Sequence, residues 1–387
     1  MAGLMMTTMV VACTPKSAER GDGGVGAGSA AQDTGPQATV TVTEPAAHAT
    51  GVEPLAKVVF TVQHADRTQV EVTDADGATV KGKTAPDGGS WQPEKAFAWG
   101  RAYTATVTAT TAGGTSTTAT SSFRIKKKPA KVVRVTSPFG DGRTWGVGMV
   151  MVLKFGRSIP ERYRADIEKR ITVESTPTQE GSWNWFAKDE LHYRPKTFWK
   201  AGTKIGYNAQ LTGVPMGQGW YGNAHRSFTG TIGRSLIITV DDRTKTMTVK
   251  KDGTTVRTIP VSLGAARTPS SSGTHLIMTR ERHARFNTMG AQDPRDRYDI
   301  PVEYAQRLTW QGEYIHAASW SEPSQGKVNV SHGCINISVK NAAWLFANTL
   351  VGDPVTTKGT PRKVDHANGY TDWNSDWDDY RNGSALN

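Results

Sequence analysis

From residue 38 onward the chain alternates Val or Thr with polar residues in short runs, at 38–43, 57–62, 69–73 and 103–110. A period of two places alternate side chains on opposite faces of a strand, and β-branched residues suit that pleated geometry. Asp76-Gly77 and Asp87-Gly88-Gly89 separate the runs with turn chemistry. Short, evenly spaced strands of this kind imply an antiparallel β-sandwich of immunoglobulin type over 38–126. No cysteine pair staples it and no catalytic cluster falls within it. Spacing, or contact with a larger surface, is the role this leaves.

Lys126-Lys127-Lys128-Pro129 marks a joint, read as a solvated linker in preference to a site for an acidic partner. A second β module follows over 127–231, carrying Trp145, Trp183, Trp185, Trp199 and Trp220. Their dispersal through strand-like runs favours core packing over a sugar-stacking platform. A third unit spans 232–358. It opens with strands at 235–240, 246–250 and 255–262, the last two joined by the hairpin turn Asp252-Gly253. The stretch 280–307 is long and charged and reads as an irregular lid. Residues 342–348 have helical composition, and a final strand begins near Val355. The tail, 359–387, has too little apolar content to fold alone. The fold class is therefore mainly β, with two Ig-like sandwiches ahead of a mixed β domain that carries a small helix and a lid.

The chemistry-bearing feature is Ser331-His332-Gly333-Cys334-Ile335-Asn336, just after the alternating run 326–330. Cys334 is one of only two cysteines in 387 residues, and His316 ends a strand-like run eighteen residues upstream. A free thiol titrates near ~8.5 and is mostly protonated at neutral pH, so a nucleophilic cysteine needs a base. An imidazole in reach would take the proton and hold the thiolate as an ion pair. Gly333 lets backbone approach a substrate, as an oxyanion-stabilising pair of N–H groups requires. A lone cysteine is otherwise a small buried hydrophobe, but a polar, Gly-containing turn is a poor place for one. His332 competes with His316 as base. Adjacent side chains diverge on a turn, which leaves His332 to orient it.

Charge and terminus narrow the setting. The net charge is +11 and the pI near 9.5. No zinc-finger, RRM or helix-turn-helix pattern points to nucleic acid, and an anionic wall or lipid surface suits the charge. No run approaches the roughly 18 apolar residues of a membrane span. Val10-Val11-Ala12-Cys13 resembles a bacterial lipobox, giving a signal over 1–13 and a Gly/Ala/Ser-rich tether over 14–37. No Lys or Arg precedes Lys16, unlike an ordinary signal. Lipidation of Cys13 would leave Cys334 without a disulfide partner and place the protein outside the plasma membrane, lipid-anchored in the cell-wall space.

In His316, its spacer, the Ser-His-Gly-Cys motif and Asn336, the chain resembles the L,D-transpeptidases of the YkuD family. The stretches Trp145-Gly146-Val147-Gly148, Gly181-Ser182-Trp183-Asn184-Trp185 and Gly217-Gln218-Gly219-Trp220-Tyr221-Gly222 resemble the Ig-like domain of the actinobacterial members. The tail resembles their C-terminal extension, whose Trp side chains dock on other domains. Residues 268–275 resemble a Thr-Pro-x-Gly-x-His segment, here with extra serines.

The resemblance implies acyl transfer in two steps. Cys334 attacks the carbonyl before the terminal D-Ala of a peptidoglycan stem. His316 acts as base and then acid, and its orienting acceptor is the main-chain carbonyl of Ala317. Gly333 and Cys334 supply oxyanion N–H groups, an effect worth about 3–4 kcal/mol per donor. Tyr298 is the lid tyrosine, and Gln311 and Gly312 line the acyl-donor pocket. Trp320, Ser331 and Asn336 also bind substrate. A second stem accepts the acyl group, giving a third-residue to third-residue cross-link. The family uses no metal or other cofactor, although His275 and His283 could suggest a metal site, and carbapenems acylate its cysteine. An L,D-carboxypeptidase would use the same dyad with water as acceptor, and a wall-binding protein would use only the Ig-like modules. A papain-like protease has the opposite order of Cys and His.

Overall fold

The computed structural model describes residues 36–223 and 225–387. The Cys13 lipobox and nearly all of the 14–37 tether lie outside the described residues.

Two sandwiches come first. One sheet orders Thr39–Glu44, Val58–Gln63, Ser90–Pro93 and Gly82–Thr84; its partner orders Ala49–Val52, Ser116–Ile125, Ala102–Thr110 and Arg67–Asp74. Along Ala102–Thr110 the side chains alternate between half-buried and buried, as a period of two demands. Phe60, Trp91, Phe97, Tyr103 and Phe123 fill the core between the sheets. The second sandwich has sheets Val135–Thr136, Met151–Phe155, Glu190–Pro195, Gly181–Ala187 and Arg143–Trp145, His225–Ile232, Lys204–Gln210, Ile171–Thr176. Trp145, Trp183, Trp185 and Trp199 are buried in its core and Trp220 packs against it, so these rings are structural. The basic joint is not wholly solvated: Lys126 Nζ donates to Glu53 and to the Tyr221 hydroxyl, both at 2.7 Å, and Trp99 meets Tyr221 edge-on.

The third domain is a mixed sandwich. Its six-stranded sheet runs Thr254–Pro260, Thr246–Lys251, Leu236–Asp241, Pro354–Lys358, Ser271–Leu276, Arg362–Lys363. Asp252 and Gly253 both take positive φ, 49° and 83°, the type I′ geometry expected of this two-residue hairpin. The second sheet orders Thr279–Asn287, Asp299–Arg307, Tyr314–Ala317 and Ile335–Ile337. The Val339–Asn348 helix, N-capped by Ser338, buries Ala342 and Leu345 on the core. Leu236, Ile238, Val240, Ile315, Ile335 and Leu345 meet there. Each side chain so buried contributes about 1.5–3 kcal/mol.

Three expectations are corrected. Most of the 280–307 stretch is a hairpin, paired from Thr279↔Arg307 to Asn287↔Asp299, and only the connection 288–298, which carries Tyr298, is irregular; the charged residues of Thr279–Asn287 suit a strand that projects into solvent. The 326–330 run is no strand. Its Val328 and Val330 are exposed, and side chains replace the ladder: Ser262 Oγ donates to the Val328 carbonyl and Asn329 Oδ1 accepts from Leu263 N. Finally, the extension drawn from 359 begins as part of the catalytic sheet, because Arg362–Lys363 pairs in parallel with Ser271 and Ser272.

The second sandwich docks on the catalytic domain through backbone. Gly146 N donates to the Val351 carbonyl (2.8 Å) and Gly148 N to that of Gly352 (2.9 Å). A Cβ on Gly146 would lie 2.2 Å from Asp353 N, so no other residue fits. The tail then lies across both domains. Trp373 Nε1 donates to the Gly148 carbonyl, and the Arg194 guanidinium faces the rings of Trp373, Trp377 and Tyr380.

Buried His192 holds this tail through Asp372 (Nδ1 to Oδ1, 2.9 Å), with Glu190 on its other nitrogen (3.2 Å). Burial opposes the imidazolium, but Asp372 and then Glu190 outweigh it and raise the pKa from 6.5 to about 8. A raised folded value means stabilisation that is complete below about 6.5 and lost as pH rises through about 8. Tail amides at 370–381 should therefore exchange faster across that window, after correction for intrinsic rates. Asp372→Asn should flatten the dependence and cost about 3–5 kcal/mol of stability by breaking a buried pair. Corrected exchange that is flat in the parent protein would exclude this linkage.

Candidate active site

The strands Tyr314–Ala317 and Ile335–Ile337 run parallel, with Ile315 opposite Ile335 and His316 opposite Asn336. One step back in this register lies Cys334 beside Tyr314, whose N–H donates to the sulfur. Residues 314 and 316 share a face, as do 334 and 336. Cys334 and His316 therefore emerge on the same side of the sheet as diagonal neighbours. Ile315 and Ile335 point the other way, into the core.

Both groups are buried, His316 being 3% exposed and Cys334 7%. His316 Nδ1–H donates to the Ala317 carbonyl at 2.8 Å, since a carbonyl can only accept. This fixes the tautomer that leaves Nε2 as the acceptor. Phe286 meets the imidazole edge-on at 5.1 Å and Trp320, 57% exposed, flanks it at 6.0 Å. The Cys334 thiol donates weakly to the Gly312 carbonyl at 3.6 Å.

Electrostatics correct the expected resting ion pair. Burial pushes the thiol up to about 12, against the Tyr314 N–H and with help from Glu313. Burial likewise pushes His316 down to about 4, opposed only by its bond to Ala317. At neutral pH the cleft holds a neutral thiol and a neutral imidazole.

The turn is held by serines, and this corrects two further expectations. Ser331 Oγ donates to the Cys334 carbonyl (2.6 Å) and accepts from Gly333 N (3.1 Å), while Ser270 Oγ donates to the Gly333 carbonyl (2.7 Å). His332 does not orient the turn. It points outward to Asp296 (3.4 Å) and the Tyr298 ring (5.3 Å). The Gly333 N–H is already taken by Ser331, so it does not face a substrate oxygen. What the turn needs from Gly333 is its φ of 123°, which a side chain would strain.

Two cavities open at this turn. One of about 390 Å³ is lined by His316, Cys334, Tyr298, Trp320, Ser331 and Asn336, among others. The second, about 400 Å³, is lined by Thr268, Asp296, Gln311, Gly312 and Tyr314. Tyr298, Phe286 and His332 line both and so divide them. Gln311 and Gly312 thus fall outside the cavity that holds the dyad. Asn336 Nδ2 donates to Ser321 Oγ, and its Oδ1 is buried without a partner on the cavity wall. His275 is buried and His283 is on the exposed hairpin beside Glu303. Among the described residues no three His, Cys, Asp or Glu side chains are grouped to hold a metal.

Sequence reasoning passed over Phe286, Ser321, Glu313 and Ser270. The extra serines of 268–275 were the available signal: Ser270 holds the cysteine turn, Ser271 holds Glu313 and Ser272 holds Thr360.

Known proteins agree with this architecture. Residues 49–215 match the bacterial Ig domain family and residues 235–357 match the L,D-transpeptidase catalytic domain family, YkuD. The Ig match runs through both sandwiches. L,D-transpeptidase 2 of Mycobacterium tuberculosis is 32% identical over 360 residues, covering 90% of this chain and 85% of that protein. L,D-transpeptidase 5 of the same species is 28% identical, covering 99% and 83%. A solved LD transpeptidase in complex with imipenem superposes with a TM-score of 0.51 at 30% identity, covering 59% of this chain and all of that one. A cysteine turn beside a histidine strand, in a mixed β domain behind Ig-like modules, defines a transpeptidase of the YkuD class. The chain belongs to the L,D-transpeptidase family.

Two outcomes follow from the site. Thiolate absorbance assigned to Cys334, by difference from Cys334→Ala, should not rise through the range near ~8.5 where a free thiol titrates. A rise there would mean that the sulfur is solvated. Gly333→Ala should slow acylation of Cys334 by at least about tenfold through misplacement of the turn; an unchanged rate would show that the positive φ is dispensable.

Proposed function

We propose that this protein forms 3–3 cross-links between peptidoglycan stem peptides, with Cys334 as nucleophile and His316 as general base and acid. The observation that carries the reading is the parallel register that puts both side chains on one face of one cavity, with Nδ1 of His316 committed to Ala317. The donor stem enters with the carbonyl before its terminal D-Ala at the sulfur. As Sγ attacks, its proton passes to His316 Nε2, because burial disfavours a separate thiolate beforehand. As the sulfur bonds to carbon it gives up the Tyr314 N–H that it accepts at rest, which frees that donor for the developing oxyanion. His316 then protonates the departing D-Ala amine, and the C–N bond breaks to leave a thioester. The side-chain amine of a second stem gives its proton to His316 and attacks the thioester, regenerating the thiol.

Tyr298 and Trp320 shape the entrance. Ser331 holds the turn, and the unpartnered Asn336 Oδ1 is available to a substrate N–H. The two cavities divided by Tyr298 give separate room for two stems, the first of them opening on the sulfur. Carbapenems, one of which occupies a relative of this protein, fit the same chemistry: a strained lactam carbonyl acylates Cys334 without needing a stem. Export, with a lipid on Cys13 tethering the protein to the outer face of the plasma membrane, completes the reading and suits its +11 charge.

Incubation with disaccharide-tetrapeptide should give a cross-linked dimer with loss of D-Ala, detected by mass. Cys334→Ala should give none, and His316→Ala should fall by roughly 10²–10⁴-fold. Release of D-Ala without dimer would instead make the enzyme a carboxypeptidase. A carbapenem adduct that persists in Cys334→Ala would move the nucleophile elsewhere. Membrane fractions should lose the protein in Cys13→Ser; equal association would remove the anchor from the reading.

A further inference from the structure

Glu313 is a buried carboxylate that the transfer mechanism does not use, and it lies directly under the nucleophile turn. Its Oε2 accepts from Ser271 N (3.1 Å), and its Oε1 from Ser271 Oγ (2.6 Å) and Arg362 Nη1 (3.2 Å). A Cβ built on Gly333 would sit 3.6 Å from the Glu313 Cγ. The residue before it, Gly312, supplies the carbonyl that the Cys334 thiol contacts, and the residue after it, Tyr314, supplies the N–H at the sulfur. Glu313 is therefore centred in the peptide segment that touches the reacting atom from both ends.

Arg362 comes from the C-terminal extension, whose first strand pairs Arg362 with Ser271. Its second nitrogen donates to Gln311 Oε1 and to Asp365. Asn368, further along the extension, accepts from Gln311 N (3.0 Å) and donates to Gln311 Oε1 (3.2 Å). The turn before Glu313 is thus gripped at its backbone and its side chain by the same segment.

We propose that Arg362 and Glu313 form a positioning pair through which the C-terminal extension sets the Gly312–Tyr314 segment, and hence the Cys334 sulfur, for acyl transfer. The pair touches no substrate. It acts by holding the Gly312 carbonyl and the Tyr314 N–H in register with the Gly333–Cys334 turn, which Ser270 fixes from the other side. The proposal rests on Cys334 as nucleophile, and the measurements below separate the two.

The test uses the full chain and a carbapenem as acylating probe, with iodoacetamide as a second probe that alkylates the same sulfur without forming an oxyanion. Arg362→Met should slow carbapenem acylation by between about tenfold and a hundredfold, the scale of a small misplacement at a reacting centre. Alkylation should change by less than about threefold, and the melting temperature should stay within a few degrees. Arg362→Lys, which keeps the charge but not the fork, should recover part of the acylation rate. Glu313→Gln, which keeps the shape but loses the ion pair, should slow acylation in the same sense as Arg362→Met. Acylation at the parent rate in folded Arg362→Met would overturn the proposal. An equal fall in alkylation and acylation would also overturn it, because the pair would then act on the thiol's ionisation or on the fold. A carbapenem adduct on Cys334→Ala would instead bring down the nucleophile assignment, whatever the Arg362 variants do.

Discussion

The site depends on the parallel register between Tyr314–Ala317 and Ile335–Ile337. Side chains alternate along both strands, so a slip of one residue would turn Cys334 into the core and bring Ile335 into the cleft. A two-strand ladder is a thin basis for such precision, and the neighbours reinforce it. Ser262 and Asn336 exchange both backbone hydrogen bonds (3.0 and 2.9 Å), and Ala318 N continues the ladder to the Ile337 carbonyl. Val330 N and the Val328 carbonyl bond to the Ser262 hydroxyl. The irregular approach to the cysteine is pinned almost residue by residue to the other sheet. A catalytic turn with only its own hydrogen bonds would have no such reference point.

Dryness sets the chemistry that this geometry performs. An exposed Cys–His pair would exchange its proton with solvent and attack anything within reach. Here burial raises the cost of charge on both partners, pushing the thiol up and the imidazole down, and so opposes a resting ion pair. Two groups already in place oppose that cost, the Tyr314 N–H at the sulfur and the Ala317 carbonyl at the imidazole. The hairpin carrying Phe286 and Tyr298 maintains the dry surroundings, and Asp296 at its tip holds Arg267 (2.9 Å) and faces His332.

Much of this was legible in sequence. The alternating runs gave the sandwiches, and Asp252-Gly253 gave its hairpin because that turn type leaves few residue choices. Cys334 and His316 stand out because motif and spacing carry the chemistry directly, whereas the Ala317 carbonyl came from the family resemblance. Most of the errors share a cause: they concern groups whose partners are remote in sequence. The charge in 280–307 reads as an irregular lid because Thr279–Asn287 buries nothing fully, and only the returning strand does so, at Val302, Ala305 and Gln306. Val328 and Val330 looked like a strand because nothing local reveals that Ser262 and Asn329 take over its ladder. The pKa values of Cys334 and His316 follow from enclosure by Phe286, Tyr298 and Trp320, from separate elements. The bond from Gly333 N to Ser331 Oγ was local, but it depends on a hydroxyl's rotation.

The joint between the second sandwich and the catalytic domain has a consequence for how the molecule can diversify. At Gly146 and Gly148 the two bodies meet through peptide groups, which are identical whatever side chains surround them. Point substitutions elsewhere on either surface cannot tune that contact, and added bulk within it can only break it. Side-chain interfaces drift by compensation, one partner adjusting to the other; that route is open to Val150 and Val152 against Leu276 and Met278, but not to the two glycines. A catalytic domain grafted onto a foreign Ig-like module would therefore need a strip as bare as Gly146 and Gly148 to seat against Val351 and Gly352.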